Sequence, residues 1–193
     1  MPGVTIEVNL PADRSEGTLR VLNSAGQVVL TDIRALGRAD RGAAQAHGNQ
    51  NRDPLHRYGD TPIGGYQVVQ IFSTGSGTPY DATMYGPNGA IRLDPVAGEA
   101  YTARLNGRTG LLIHSGRDRG PGRGLVPTNG CLRVTNADMR RIIDAIVQGS
   151  NNAAQNRCEM ISVAVGIGPA GPDEAVDTGD PPPTEPGLPI ILP

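Results

Sequence analysis

The sequence predicts a mostly β domain with one main α-helix, its strands packed as a sandwich or closed as a barrel. Three observations carry that reading. Short apolar–polar alternations recur through the N-terminal and central parts of the chain, beginning with Val4, Ile6, Val8 and Leu10. Turn-forming clusters separate them at close spacing, among them Ser24-Ala25-Gly26, Gly86-Pro87-Asn88-Gly89 and Asn106-Gly107. One stretch, Met139 to Val147, carries a sustained stripe at helical period.

Taken in order, Val4 to Leu10 alternates as a half-buried strand does. Thr18 to Asn23 and Gln27 to Leu30 form a hairpin across Ser24-Ala25-Gly26. Arg38 to Tyr58 is polar and Gly/Ala-rich without a clean period, so it reads as a long loop with one helical turn near Ala43–Ala46. Long loops in compact domains often carry function, and this one is expected to border a substrate groove. Its His47 and His56 could be imagined as metal ligands, but no third ligand stands at a recognisable spacing, and two solvated histidines are the plainer reading. Gly64 to Ser73 and Asp81 to Leu93 supply more strand, the latter turning at Pro87-Asn88-Gly89, where Pro fixes φ and Asn and Gly tolerate positive φ. Tyr101 to Leu105 reads as strand and leads through Asn106-Gly107 into Leu111-Leu112-Ile113, a short buried strand ending at His114.

A loop rich in Gly, Pro and Arg follows, Gly116 to Asn129, closing on Gly130-Cys131-Leu132-Arg133-Val134. The helix comes next. Met139, Ile142, Ile143, Ile146 and Val147 share one face, Thr135 and Asp138 have the form of a capping box, and Gly149 ends it. Its expected service is to bury that stripe against the sheet and hold the Cys131 segment rigid. Arg157 to Ile167 reads as a last strand.

At 193 residues and 20.1 kDa the chain holds one domain with a real core, residues 1–168, and a tail, residues 169–193. The tail has eight Pro, five acidic residues and no basic ones, so it is expected to be disordered or extended, though Leu188 to Leu192 is apolar enough to dock on the domain or on a carrier. With no Trp and a single Phe, the core must rest on Val, Ile, Leu, Met and Ala. A net charge of −2 is too balanced to suggest nucleic acid; removing the tail's five negative charges leaves a mildly basic domain at +3. No run approaches the roughly eighteen apolar residues of a membrane span. The first residues have neither a basic stretch nor a long apolar one, so they do not read as a signal peptide.

The chemistry concentrates in His114 and Cys131. A thiol nucleophile needs an imidazole near enough to take its proton, and a loop returning on itself can bring a His at a strand end to a Cys after a Gly. Two other readings of the cysteines stand beside it. Cys131 and Cys158 could form a disulfide in an oxidising compartment. Cys158, flanked by apolar strand residues, is otherwise a buried structural thiol, and Cys131 itself could be one beside a surface His.

These residues carry a resemblance. His114-Ser115-Gly116 followed by Thr128-Asn129-Gly130-Cys131-Leu132-Arg133 resembles the signature of the L,D-transpeptidase catalytic-domain family of bacterial cell-wall enzymes. Asp60-Thr61-Pro62-Ile63-Gly64-Gly65-Tyr66 is similar to that family's Thr-Pro-x-Gly-x-aromatic segment, and Thr135 to Val147 to the helix after its cysteine. Asn129 stands where the family most often has His. The resemblance implies an L,D-transpeptidase-like β-sandwich or barrel and peptide exchange on peptidoglycan stems. Cys131 would be the nucleophile, His114 the base, and the Ser115 carbonyl its orienter. The N–H groups of Gly130 and Cys131, with Asn129, would form the oxyanion hole, Gly130 being small so that substrate can approach. Arg133 would meet a substrate carboxylate or hold the loop, and Thr128 would line the substrate site. No metal or cofactor is called for. Wall peptidases of the papain type place Cys before His; here His114 comes first.

Three functions follow from this reading: a wall-crosslinking transpeptidase, an exported toxin that trims or caps the stems of a rival cell, and a catalytically silent wall-binding module suggested by Asn129. The expected partners are peptidoglycan stem peptides and D-amino acids, with a secretion carrier or immunity protein in the toxin case. The expected location is the periplasm or cell wall, reached after removal of a signal or through a dedicated secretion machine.

Overall fold

The computed structural model describes residues 4–117, 119, 123–149 and 161–168. Cys158, the start of the expected last strand and the tail from residue 169 lie outside the described residues. Eight strands are described: β1 (Val4–Leu10), β2 (Glu16–Leu22), β3 (Val28–Leu36), β4 (Gly64–Phe72), β5 (Ala90–Ala97), β6 (Leu112–His114), β7 (Leu132–Arg133) and β8 (Ile161–Ile167). They close into a barrel in the order β1-β2-β3-β7-β6-β5-β4-β8. Of the two closures expected, sandwich or barrel, the chain takes the second. Most neighbours run antiparallel, while β1 with β8 and β6 with β7 are parallel.

The alternation of β1 is realised directly: Val4, Ile6, Val8 and Leu10 are no more than 1% exposed and point into the barrel. Ile33, Val68, Ile91, Ile113, Leu132 and Val163 meet them there from other strands. Tyr66 is the largest fully buried side chain, and its hydroxyl donates to the Pro62 carbonyl at 2.5 Å, which spares a buried polar group from going unpaired.

Among the described residues four helices decorate the barrel. The turn expected in the long loop is α1 (Arg41–Ala46), whose Asp40 carboxylate accepts the Ala43 N–H at 2.7 Å. Two expectations of strand are overturned. Asp81 opens a helical turn, α2 (Ala82–Tyr85), by accepting the Thr83 N–H at 2.6 Å. Tyr101 to Leu105 belongs to α3 (Gly98–Leu105), which buries Ala100 and Ala103 against β4 and β5. Asn106-Gly107 is therefore the exit of a helix and no hairpin turn: Asn106 N–H donates to Thr102 O and Gly107 N–H to Arg104 O.

The main helix is α4 (Asn136–Gly149), the last residue described in that segment. Thr135 Oγ1 accepts the Asp138 N–H at 3.1 Å and donates to the Asp138 carboxylate at 2.8 Å, as the capping-box spacing implies. Met139, Ile142 and Ile146 are buried, Ile143 is half-buried, and Val147 is 40% exposed at the rim of the stripe. Each fully buried member is worth about 1.5–3 kcal/mol before entropy is subtracted. The helix packs on β2 and β3, directly after β7, and so anchors the chain leaving Cys131.

Candidate active site

The short parallel pair β6–β7 brings the two chemical residues together. Ile113 pairs with Leu132 and both point into the core; His114 pairs with Arg133. Since side chains alternate along a strand, His114, Arg133 and Cys131 share the outer face, with Cys131 two residues before the partner of His114. Cys131 is partly exposed. Its thiol lies 3.9 Å from the Gly110 carbonyl, and the Leu112 N–H donates to its sulfur. Among the described residues the thiol and the His114 ring share no hydrogen bond.

His114 is 4% exposed, with Tyr85 tilted beside it at 5.1 Å between ring centroids. Its Nδ1–H donates to the Ser115 carbonyl at 2.8 Å, which leaves Nε2 with its lone pair. Burial, reinforced by the Arg133 charge, pushes its pKa down to about 3, against the smaller pull of the Ser115 and Met84 carbonyls. Burial likewise pushes the Cys131 thiol up, opposed by the Leu112 N–H and by the charges of Arg108 and Arg133. At rest both partners are neutral.

Arg133 is buried behind this pair. Its Nη1 donates to Ser115 O and Gly116 O, each at 2.5 Å, and to Met84 O at 3.3 Å. Of the two roles expected, these contacts are those of loop holding. Burial lowers its pKa to about 10. Arg133 Nε and Ser115 Oγ are buried without a hydrogen-bond partner. Thr128 turns inward to the loop: Oγ1 accepts the Gly130 N–H at 3.0 Å and donates to the Cys131 carbonyl at 2.8 Å. The Gly130 N–H expected in an oxyanion hole is thus already committed, whereas the Cys131 N–H has no acceptor among the described residues. Asn129 is exposed.

Gly130 corrects a second expectation. It sits at φ 108, and a Cβ there would collide with the Gly59 carbonyl and the Arg108 guanidinium. The glycine is demanded by the loop packed behind it, not by the approach of substrate. Its carbonyl accepts from Thr61 Oγ1 at 3.0 Å and from Arg108 Nη2 at 3.2 Å. Thr61, in the Thr-Pro segment, is therefore a direct contact of the cysteine turn. Sequence reasoning missed Arg108 altogether. It is 2% exposed and also donates to Gly59 O and Asp60 O, each at 2.8 Å, and to Pro54 O. Arg14, buried as well, holds Thr61 O at 3.1 Å and pairs with Glu99 at 3.2 Å. Both arginines stand in turn-rich sequence where an Arg normally signals solvent, so nothing local flags them.

The loop histidines do not gather. His47 stacks on Tyr58 at 3.8 Å, and His56 lies 3.7 Å from Asp53. Among the described residues no cluster of three His, Cys, Asp or Glu could hold a metal. Beyond Arg133 lies a shallow depression lined by Arg117, Arg119, Arg123 and Arg133 with Leu125 and Val126, basic in character. No helix among the described residues is long and apolar enough to cross a membrane.

Residues 4–165, β1 through most of β8, match the family of L,D-transpeptidase catalytic domains known as YkuD. The chain belongs to that family. No curated protein matches the chain. Among solved structures it is similar to Bd1075 of Bdellovibrio bacteriovorus, at 16% identity and a TM-score of 0.47 over 82% of this chain and 46% of that one. It is similar also to the helical cell shape determining protein Pgp2 of Campylobacter jejuni, at 15% identity and a TM-score of 0.45 over 84% and 48%. The catalytic domain of the E. faecium L,D-transpeptidase shares 19% identity at a TM-score of 0.40 over 86% of this chain and 98% of that one. This L,D-transpeptidase-family chain thus spans about half the length of Bd1075 and Pgp2, and its family membership rests on the sequence match.

Proposed function

We propose that this domain is a cysteine-dependent acyltransferase acting on the tetrapeptide stems of peptidoglycan. The observation that carries the reading is the β6–β7 pair, a cysteine only partly covered and a buried neutral imidazole on one face of adjacent parallel strands. Cys131 Sγ attacks the carbonyl carbon of the meso-diaminopimelate that precedes the terminal D-Ala. An S–C bond forms, the C–N bond to D-Ala breaks, and a thioester remains on Cys131. His114 Nε2 takes the thiol proton as Sγ attacks and returns it to the leaving amine, while Ser115 O holds the ring by Nδ1–H. The Cys131 N–H serves as oxyanion donor, and the Asn129 side chain, which is exposed, is the candidate second donor. A second stem amine or a free D-amino acid then takes the acyl group, giving transpeptidation; water gives a tripeptide stem. This chemistry belongs in the periplasm or cell wall, either of the producing cell or, for a delivered toxin, of a rival.

One observation favours a second reading, a wall-binding module without turnover: thiol and ring share no hydrogen bond among the described residues. Incubation with purified tetrapeptide muropeptides, read by mass spectrometry, separates the two. Tripeptides indicate carboxypeptidase activity, and dimers or D-amino-acid exchange indicate transpeptidase activity. Unchanged muropeptides that nevertheless pull down the protein would replace the proposal with the binding module.

A further inference from the structure

Arg108 belongs to none of the motifs of the site, yet it is the hub behind the cysteine. It lies in the turn between α3 and β6, and its guanidinium reaches four carbonyls, those of Pro54, Gly59, Asp60 and Gly130. No carboxylate is hydrogen-bonded to it among the described residues. A buried guanidinium hydrogen-bonded only by carbonyls has no carboxylate in direct contact, an arrangement that costs stability relative to a paired charge. Burial pulls its pKa down, and the neighbouring Tyr66, Cys131, Asp60 and Glu99 pull it up.

The Gly130 carbonyl and the Cys131 N–H belong to one peptide plane, in which C=O and N–H point in opposite directions. Arg108 Nη2 and Thr61 Oγ1 fix the carbonyl toward the buried side, Thr61 being 1% exposed. The N–H must therefore face the other way, away from the buried side of a residue that is itself only partly covered. Gly130 is the residue that lets the clamp approach, since any side chain would occupy the place of the guanidinium.

We propose that Arg108 is the positioning residue of the cysteine turn: it locks the Gly130–Cys131 peptide with its N–H outward as the oxyanion donor, and it sets a fixed positive charge behind the sulfur. The inference rests on Cys131 being the nucleophile. The resting His114 is neutral, so the cations that favour a thiolate are Arg108, from the α3–β6 turn, and Arg133, from β7. Tyr66 from β4 is the remaining titratable group coupled to the thiol, and it stays protonated because burial pushes its pKa up.

The test uses the full chain with Arg108→Gln, Arg108→Lys and Thr61→Val, each checked for cooperative melting. Two readouts are taken: the pH dependence of Cys131 alkylation by iodoacetamide, followed by peptide mapping, and kcat and KM on tetrapeptide muropeptides. Arg108→Gln should move the Cys131 titration midpoint up by about one pH unit or more and lower kcat by about 10- to 100-fold with little change in KM. Arg108→Lys keeps the charge but loses the planar fork, so the midpoint should stay near that of the parent while kcat falls. Thr61→Val should lower kcat without moving the midpoint. If Arg108→Gln does not fold, Arg108→Lys carries the test, and turnover equal to the parent's in that variant overturns the proposal. A folded Arg108→Gln with the parental midpoint and kcat overturns it too. A parent that turns over no muropeptide defeats the proposed function instead; the alkylation midpoints then still decide whether Arg108 governs the thiol.

Discussion

The thiol and the imidazole are both neutral at rest, and that state makes the roles of single residues measurable. Cys131→Ala removes one sulfur from a partly exposed position, so it should abolish muropeptide turnover while leaving the melting transition close to the parent's. His114→Ala should lower kcat by about 100- to 10,000-fold, the range for removal of a general base. Buried neutral, His114 also ties stability to pH. Its folded value near 3 lies below the ordinary 6.5, so between these values only the unfolded chain takes up the proton. Its contribution is complete above about pH 6.5 and is lost as pH falls toward 3. Urea midpoints measured from about pH 7 down to pH 4 should therefore fall less steeply in His114→Gln than in the parent; parallel slopes would show that the ring is not held neutral. That His114 and Cys131 would meet on adjacent strands was legible because a His at a strand end and a Cys after a Gly bracket one returning loop, whereas the Ser115 role came from the family resemblance alone. Arg108 was not legible, because a buried clamp and a solvated surface arginine look alike within a turn. The reason for Gly130 was misjudged for the same cause, since what fills the space behind it comes from a residue far along the chain.

Among elements, those whose signal is local came through. The strand β1 follows its alternation residue for residue, and α4 follows its stripe and its Thr135–Asp138 cap. Thr135→Ala should cost about 1 kcal/mol through the lost cap. Ile142→Ala, at a fully buried position facing the barrel, should cost about 2–5 kcal/mol. Denaturant melts of the two variants check both, and a larger loss from Thr135→Ala than from Ile142→Ala would contradict this account of α4. The helix α3 was illegible because its buried face is two alanines, Ala100 and Ala103, too small to register as a stripe, while the Asn106-Gly107 that ends it is also a hairpin sequence. Its Glu99 accepts the Ile63 N–H at 2.8 Å, so the helix steadies the Thr-Pro segment that in turn holds Gly130.

At the scale of the whole molecule, alternation says that one face of each strand is buried but not whether the strands form two sheets or one closed ring. The deciding contacts are between the ends of the domain: β8 pairs with β1 over seven residues from Val4↔Ile161 to Leu10↔Ile167 and with β4 on its other side. No local pattern encodes such a pairing. The Gly168 N–H still donates to Leu10 O at 2.8 Å. A chain ending at Gly168 should therefore melt cooperatively and keep its activity in vitro, whereas one ending at residue 160 should lose the cooperative transition because the barrel can no longer close. Calorimetry of the two truncations decides it.

The claim that joins these scales is that Cys131 carries the acyl group. Rapid quenching of the protein during turnover of tetrapeptide muropeptides, followed by intact-mass and peptide-level spectrometry, addresses it directly. The account predicts a transient adduct of the stem lacking its terminal D-Ala, mapped to Cys131, released by hydroxylamine and missing in Cys131→Ala. Turnover that proceeds in Cys131→Ala, or an adduct on any other residue, would contradict it.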